Sequence, residues 1–153
     1  MKKFSFCLLL IICLFISGCG KVKNKEAITI DNFIQVAENN NLLIVNNMDT
    51  YSNVDYIVDS RKAVVDDTEI EMVVYIDSES ADKALEYHMS SFETLKSTAA
   101  AEKEEERGNY HSYFLISNNR YMISTRVDNT LIFSKTMIEN KELVEKVISE
   151  LGY

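Results

Sequence analysis

The side chains that could do chemistry in this 153-residue chain are few and badly placed for it. Thiols occur only at Cys7, Cys13 and Cys19, and imidazoles only at His88 and His111. Neither histidine stands in a metal-binding spacing such as His-x-x-x-His or His-Glu-x-x-His, so no zinc site is expected. His88 falls on the apolar face of a helical pattern between Leu85 and Phe92, and reads as a hydrogen-bonded residue at the edge of a core. His111 faces Arg126 across two strands, a neighbour that disfavours its charged form. Asp66 and Asp67 with Glu69 and Glu71 gather carboxylates. A calcium loop also needs a glycine and a spaced ladder of oxygen ligands, so the segment reads as a solvated turn with Glu69 and Glu71 on a solvent face. Glu102 to Glu106 reads as a solvated charge run. Isolated glycines give no phosphate-binding loop, and no Gly-x-Ser-x-Gly elbow occurs. A pair of acids for sugar hydrolysis stays open, because their separation in space is not visible in a sequence. No catalytic residue and no metal ligand is assigned.

One thiol has a context. Met1-Lys2-Lys3 precedes an apolar run from Phe4 to Ile16, followed by Ser17-Gly18-Cys19-Gly20. A basic head, a short apolar core and small residues before a cut form a secretory signal. The run is too short to span about 30 Å of hydrocarbon, which takes roughly 20 apolar residues. Ile16-Ser17-Gly18-Cys19 resembles the lipobox of bacterial lipoproteins. That resemblance covers about 20 residues and implies that Met1 to Gly18 are removed and that Cys19 carries a diacylglycerol, with palmitate-type acyl chains, through a thioether. It also implies a mature chain with no other cysteine, hence no internal disulfide and no thiol nucleophile. Two acyl chains anchor stably where one binds only marginally. The remainder of the chain is similar in style to small lipoproteins of low-GC Gram-positive bacteria, on residues such as Tyr121-Met122-Ile123-Ser124-Thr125-Arg126-Val127, and that similarity implies no activity.

The composition of the whole chain is that of an ordinary single globular domain: 46% hydrophobic, 26% charged, four glycines and no proline. A formal charge of −8 argues against nucleic acid, whose phosphates need a basic surface. Losing Lys2 and Lys3 with an acid-free segment takes that charge to −10. Lys21, Lys23 and Lys25 follow Cys19 directly, a basic collar between the anchor and an acidic body. The expected organisation is a signal peptide over 1–18, a lipidated Cys19 and short basic tether over 19–27, and one domain over 28–153.

The elements of that domain follow from periodicity. Thr29 caps a short helix bearing Phe33, Ile34 and Ala37 on one face, and Asn39-Asn40-Asn41 ends it. Leu42 to Val45 reads as a buried strand and Asn46 to Asn53 as a polar loop. Val54 to Val65 is strand-like, with limits blurred by Asp59-Ser60-Arg61-Lys62. Thr68 to Ile76 alternates cleanly as a half-buried antiparallel strand. A second helix starts at Asp77 or Ser78 and carries Ala81, Ala84, Leu85, His88, Phe92 and Leu95 at helical spacing. Ala99 to Glu106 either prolongs it or forms a mobile loop. Strands Tyr110–Ser117, Arg120–Val127 and Thr130–Met137 follow, joined by Asn118-Asn119 and Asp128-Asn129, pairs that favour type I′ turns because both central residues need positive φ. A final helix buries Leu143, Val144, Val147, Ile148 and Leu151 and stops at Gly152. The fold class expected is α+β in two layers: an antiparallel sheet with a three-strand meander in its C-terminal half and about three helices on one face.

The tight turns fix register, and register fixes faces. One face collects Phe114, Ile116, Tyr121, Ile123 and Ile132, the side to be covered by helices. The other collects Tyr113, Leu115, Met122, Leu131 and Phe133, and with all helices opposite it is either open to water or covered by the loop from Ala99 to Asn109 or the chain near Asn46. These five are the candidate contact surface. The function expected is a non-catalytic, monomeric lipoprotein on the extracytoplasmic face of a membrane, with no cofactor beyond its covalent diacylglycerol, binding an envelope protein or a small ligand. The alternative is an enzyme or accessory subunit acting on envelope polymers. A transporter's two-lobed solute receptor is excluded by size.

Overall fold

A computed structural model describes residues 24–153. The chain runs α1 (Ile30–Asn39), β1 (Leu43–Asn46), a 3-10 turn (Met48–Tyr51), β2 (Ile57–Val65), β3 (Thr68–Tyr75), α2 (Ser78–Glu93), β4 (Ala101–Arg107), β5 (Tyr110–Ser117), β6 (Arg120–Val127), β7 (Thr130–Met137), a second 3-10 turn (Ile138–Asn140) and α3 (Lys141–Glu150). It is α+β, with seven strands in one antiparallel sheet ordered β1-β2-β3-β7-β6-β5-β4. The connection through α2 carries the chain from β3 to the far edge. Three hairpins then walk back until β7 pairs with β3.

Local chemistry explains the boundaries. Thr29 closes a reciprocal box with Asn32: its hydroxyl accepts from the Asn32 amide at 3.2 Å, and the Asn32 side chain accepts from the Thr29 amide at 3.3 Å. Asn41 takes the left-handed region (φ 61°) that lets the chain leave α1. Asn118 and Asn119 both have positive φ, and Ser117 pairs with Arg120 and Leu115 with Met122 as that turn dictates. Of the second pair only Asp128 does (φ 50°); Asn129 instead exchanges hydrogen bonds with the Tyr75 backbone at 2.7 and 2.8 Å.

The polar interruption in β2 stays a strand because each side chain has a partner. Asp59 pairs with Arg61, Ser60 reaches Glu71, and Lys62 meets Glu69 at 3.1 Å. Ala99 to Glu106 is neither a prolonged helix nor a loop: it becomes β4, an edge strand exposed along nearly its whole length. The unbroken run of charged side chains from Glu102 to Arg107 blunts that edge against pairing with another chain. Gly108 (φ 60°) supplies the turn into β5.

Helices cover both faces of the sheet, not one. Against α1 and α3 pack Ile70, Met72, Tyr121 and Ile132. Against α2, on the opposite face, Ala81 and Leu85 meet Val73, Tyr75 and Leu131, while Phe92 meets Tyr113, Leu115 and Met122. The layers are therefore three, α/β/α, and the two-layer expectation is corrected. Glu69 and Glu71 suggested a wet face, but they mark only one end of it. Beyond them Val73, Tyr75 and the apolar side of β5–β7 need a cover, and the apolar stripe of α2 supplies it. Both cores close within residues 24–153, so this stretch carries its own folding energy. No described helix is long and apolar enough to cross a membrane.

Candidate functional site

The register places Tyr113, Leu115, Met122, Leu131 and Phe133 on one face, as the turns require. That face is not open. Tyr113, Leu115, Met122 and Leu131 are buried beneath α2, and only Phe133 keeps partial exposure. Those four are core, and the expectation of an exposed contact surface there is corrected. Cys19 lies outside the described residues.

What the placement of α2 creates instead is a groove along its edge. Asp77 caps the helix by accepting from the Ser80 amide at 2.7 Å, a bond that holds its carboxyl below the usual range. From there Ser80, Lys83, Ala84 and Tyr87 form one wall. The 3-10 turn and the entry to β2 form the other with Tyr51, Val54, Tyr56 and Ile57, and Tyr75, His88 and Phe133 lie at the floor. The groove encloses about 630 Å³, within the range of small-molecule sites. Tyr56 and Tyr75 lie nearly parallel with centroids 6.4 Å apart. Tyr56 is 51% exposed and Tyr87 72%.

Behind this wall sits a carboxylate that the sequence reading put in water. Glu71 is 4% exposed. Its Oε1 accepts from Asn47 Nδ2 at 2.5 Å, Tyr51 Oη at 2.8 Å and Ser60 Oγ at 2.8 Å. Asn47, just before the 3-10 turn, and Tyr51, at its end, supply two of these donors, and together with Ser60 they offset the cost of burying the charge. Lys62 Nζ stands 3.9 Å from Oε2 but is held by Glu69. Burial, reinforced by Glu71, raises the phenol pKa of both Tyr51 and Tyr75, so both stay neutral donors.

His88 behaves as the helical pattern suggested. Its Nδ1 is 2.9 Å from Ser124 Oγ, and its ring packs against Phe133 (4.3 Å between centroids) and Phe92 (6.1 Å). Burial pushes its pKa down to about 4. A hydroxyl beside a neutral imidazole has the form of a nucleophile and base. Ser124 is fully buried, however, and no substrate reaches it. His111 pairs with Arg126 across β5 and β6, and its Nε2 lies 2.9 Å from Glu104 on the edge strand. Among the described residues no three His, Cys, Asp or Glu side chains converge as a metal site would require.

A second feature concerns the end of the molecule nearest residue 19. The Lys25 amide donates to Asn109 Oδ1 at 2.9 Å, Asn109 Nδ2 donates to the Lys25 carbonyl at 2.8 Å, and Lys25 Nζ reaches the Gly152 carbonyl at 2.9 Å over the ring of Tyr110. The chain is thus pinned to the domain from Lys25 onward. Lys25, within the stretch 19–27 expected as a short basic tether, is engaged with the domain. Asn109 lies beside Asp128 (2.9 Å), at the same end of the sheet as Tyr75 and the start of α2.

Comparison with known families and with curated proteins gives no match. Among solved structures, a GTP-binding regulator from Thermotoga maritima aligns with a TM-score of 0.46 and 18% identity, over 84% of this chain and 87% of that one. A likeness this loose carries no argument about function.

Proposed function

We propose that this chain is a lipid-anchored, non-catalytic binding protein, held on the extracytoplasmic face of a membrane through Cys19 and taking a small ligand in the aromatic groove beside α2. The groove carries the binding half of this reading. It is concave, lined mainly by apolar and aromatic side chains with a few hydroxyls, and flanked by two exposed tyrosines whose rings bring large contact area at small entropic cost. The buried Ser124 supports a binding rather than a catalytic role. The lipobox-like Ile16-Ser17-Gly18-Cys19 carries the address. Five residues lie between Cys19 and the pinned Lys25, a reach of about 20 Å when fully extended, so the sheet end that bears Asn109 and Tyr75 would work close to the bilayer.

The test of the groove is ligand-observed NMR on residues 20–153 with a mixed library of small aromatic, amine and sugar fragments. Fragments that bind are expected to lose at least tenfold in affinity in Tyr87→Ala, a substitution at an exposed position that leaves the fold intact. Binding unaffected by Tyr87→Ala and Tyr56→Ala, or no binding at all, would remove the groove from the account.

A further inference from the structure

The charges around the groove are unbalanced, and the imbalance names a class of ligand. Lys83, the lysine on its wall, is paired with Glu79 at 2.6 Å. His88 is neutral at physiological pH. On the other side Lys62 lies 3.1 Å from Glu69 and 3.9 Å from Glu71, and Lys62 and Lys135 line one pocket with Asp66, Asp67, Glu69 and Glu71, so negative charge is in excess there. Glu71 is buried, and the groove residue Tyr51 donates directly to it. Neutral donors stabilise a carboxylate without cancelling its field, and in a poorly solvated wall the field reaches further than in water. The rings that meet the groove add to it, because the faces of tyrosine and phenylalanine carry negative potential. Tyr51, Tyr56, Tyr75, Tyr87 and Phe133 all line it. The groove therefore combines several aromatic rings, a buried carboxylate behind them and, in Lys83, a lining cation that is already paired.

We infer that the groove binds an organic ammonium group, held against the tyrosine rings by cation–π attraction and by the field of Glu71. This rests on the groove being a ligand site and deepens that reading. An anion would meet the same field with the opposite sign, and a neutral ligand would gain only apolar contact. The ammonium group could be that of a dissolved amine or of a lipid headgroup, since both present the same chemistry to the rings.

The experiment compares choline with its neutral isostere 3,3-dimethyl-1-butanol on residues 20–153, following amide and tyrosine resonances by NMR. Choline is expected to shift Tyr56, Tyr75 and Tyr87 and to bind at least tenfold more tightly than the alcohol. Tyr87→Ala and Tyr56→Ala are expected to abolish that preference, and Glu71→Gln, in a variant shown to be folded, to reduce it while leaving alcohol binding unchanged. Phosphatidylcholine and phosphatidylglycerol vesicles separate the two sources. Response to free choline identifies a dissolved amine, response only to the choline lipid identifies a headgroup, and either supports the inference. Equal binding of choline and the alcohol would overturn it while leaving the groove as an apolar site. No response to choline in any form would also overturn it, and the fragment experiment then decides the groove itself.

Discussion

Leu115→Ala is expected to destabilise the domain by about 2–5 kcal/mol, as much as Ile132→Ala on the opposite face. Leu115 is fully buried in the cluster that Phe92 of α2 closes with Tyr113 and Met122, and Ile132 is fully buried under α1 and α3. Truncating either removes buried methyl groups and leaves a cavity that a close-packed layer fills only in part. Were the Leu115 face open to water, the same change would cost a few tenths of a kcal/mol. Chemical denaturation of the two variants measures the difference. A negligible loss at Leu115 with a large one at Ile132 would mean that α2 does not cover the sheet.

The second large effect is one of pH. His88 has its pKa pushed down to about 4 by burial, against 6.5 for a free imidazole. The unfolded chain therefore takes up a proton that the folded chain refuses, and acid favours unfolding. Stability from this group is complete above about pH 6.5 and is lost as pH falls toward 4, by an amount on the order of 3 kcal/mol. Carboxylates titrate in part of the same window, so the comparison is with His88→Gln, which keeps a polar side chain and cannot titrate there. Between pH 7 and 4 the wild type is expected to lose more stability than the variant. Parallel curves would show that His88 is not held neutral by the fold.

How much of this was legible depended on whether a feature was local. The Asn118-Asn119 turn sets its own register, so the pairing of β5 with β6 can be read from two residues and an alternation. The caps of α1 and α2 are equally local. The edge strand β4 was not legible by pattern, because a strand exposed on both faces has no apolar alternation. Its one sequence signal is Gly108-Asn109, a two-residue turn of the kind that joins hairpins. The largest error came from a single non-local choice, the face that α2 crosses. Glu69 and Glu71 made that face look wet. Yet Glu71 is buried by donors from Asn47 and Tyr51, in a segment that by composition is a polar loop. The groove is illegible for the same reason: its tyrosines come from the 3-10 turn, the entry to β2, the end of β3 and α2, and they converge only once α2 is in place.

The claim on which the account of function depends is the anchor. Cells expressing the full chain and its Cys19→Ser variant, fed with a clickable palmitate, test it directly. The account predicts a labelled wild-type protein that sediments with membranes and an unlabelled Cys19→Ser protein that does not. Wild type and variant equally unlabelled would contradict it.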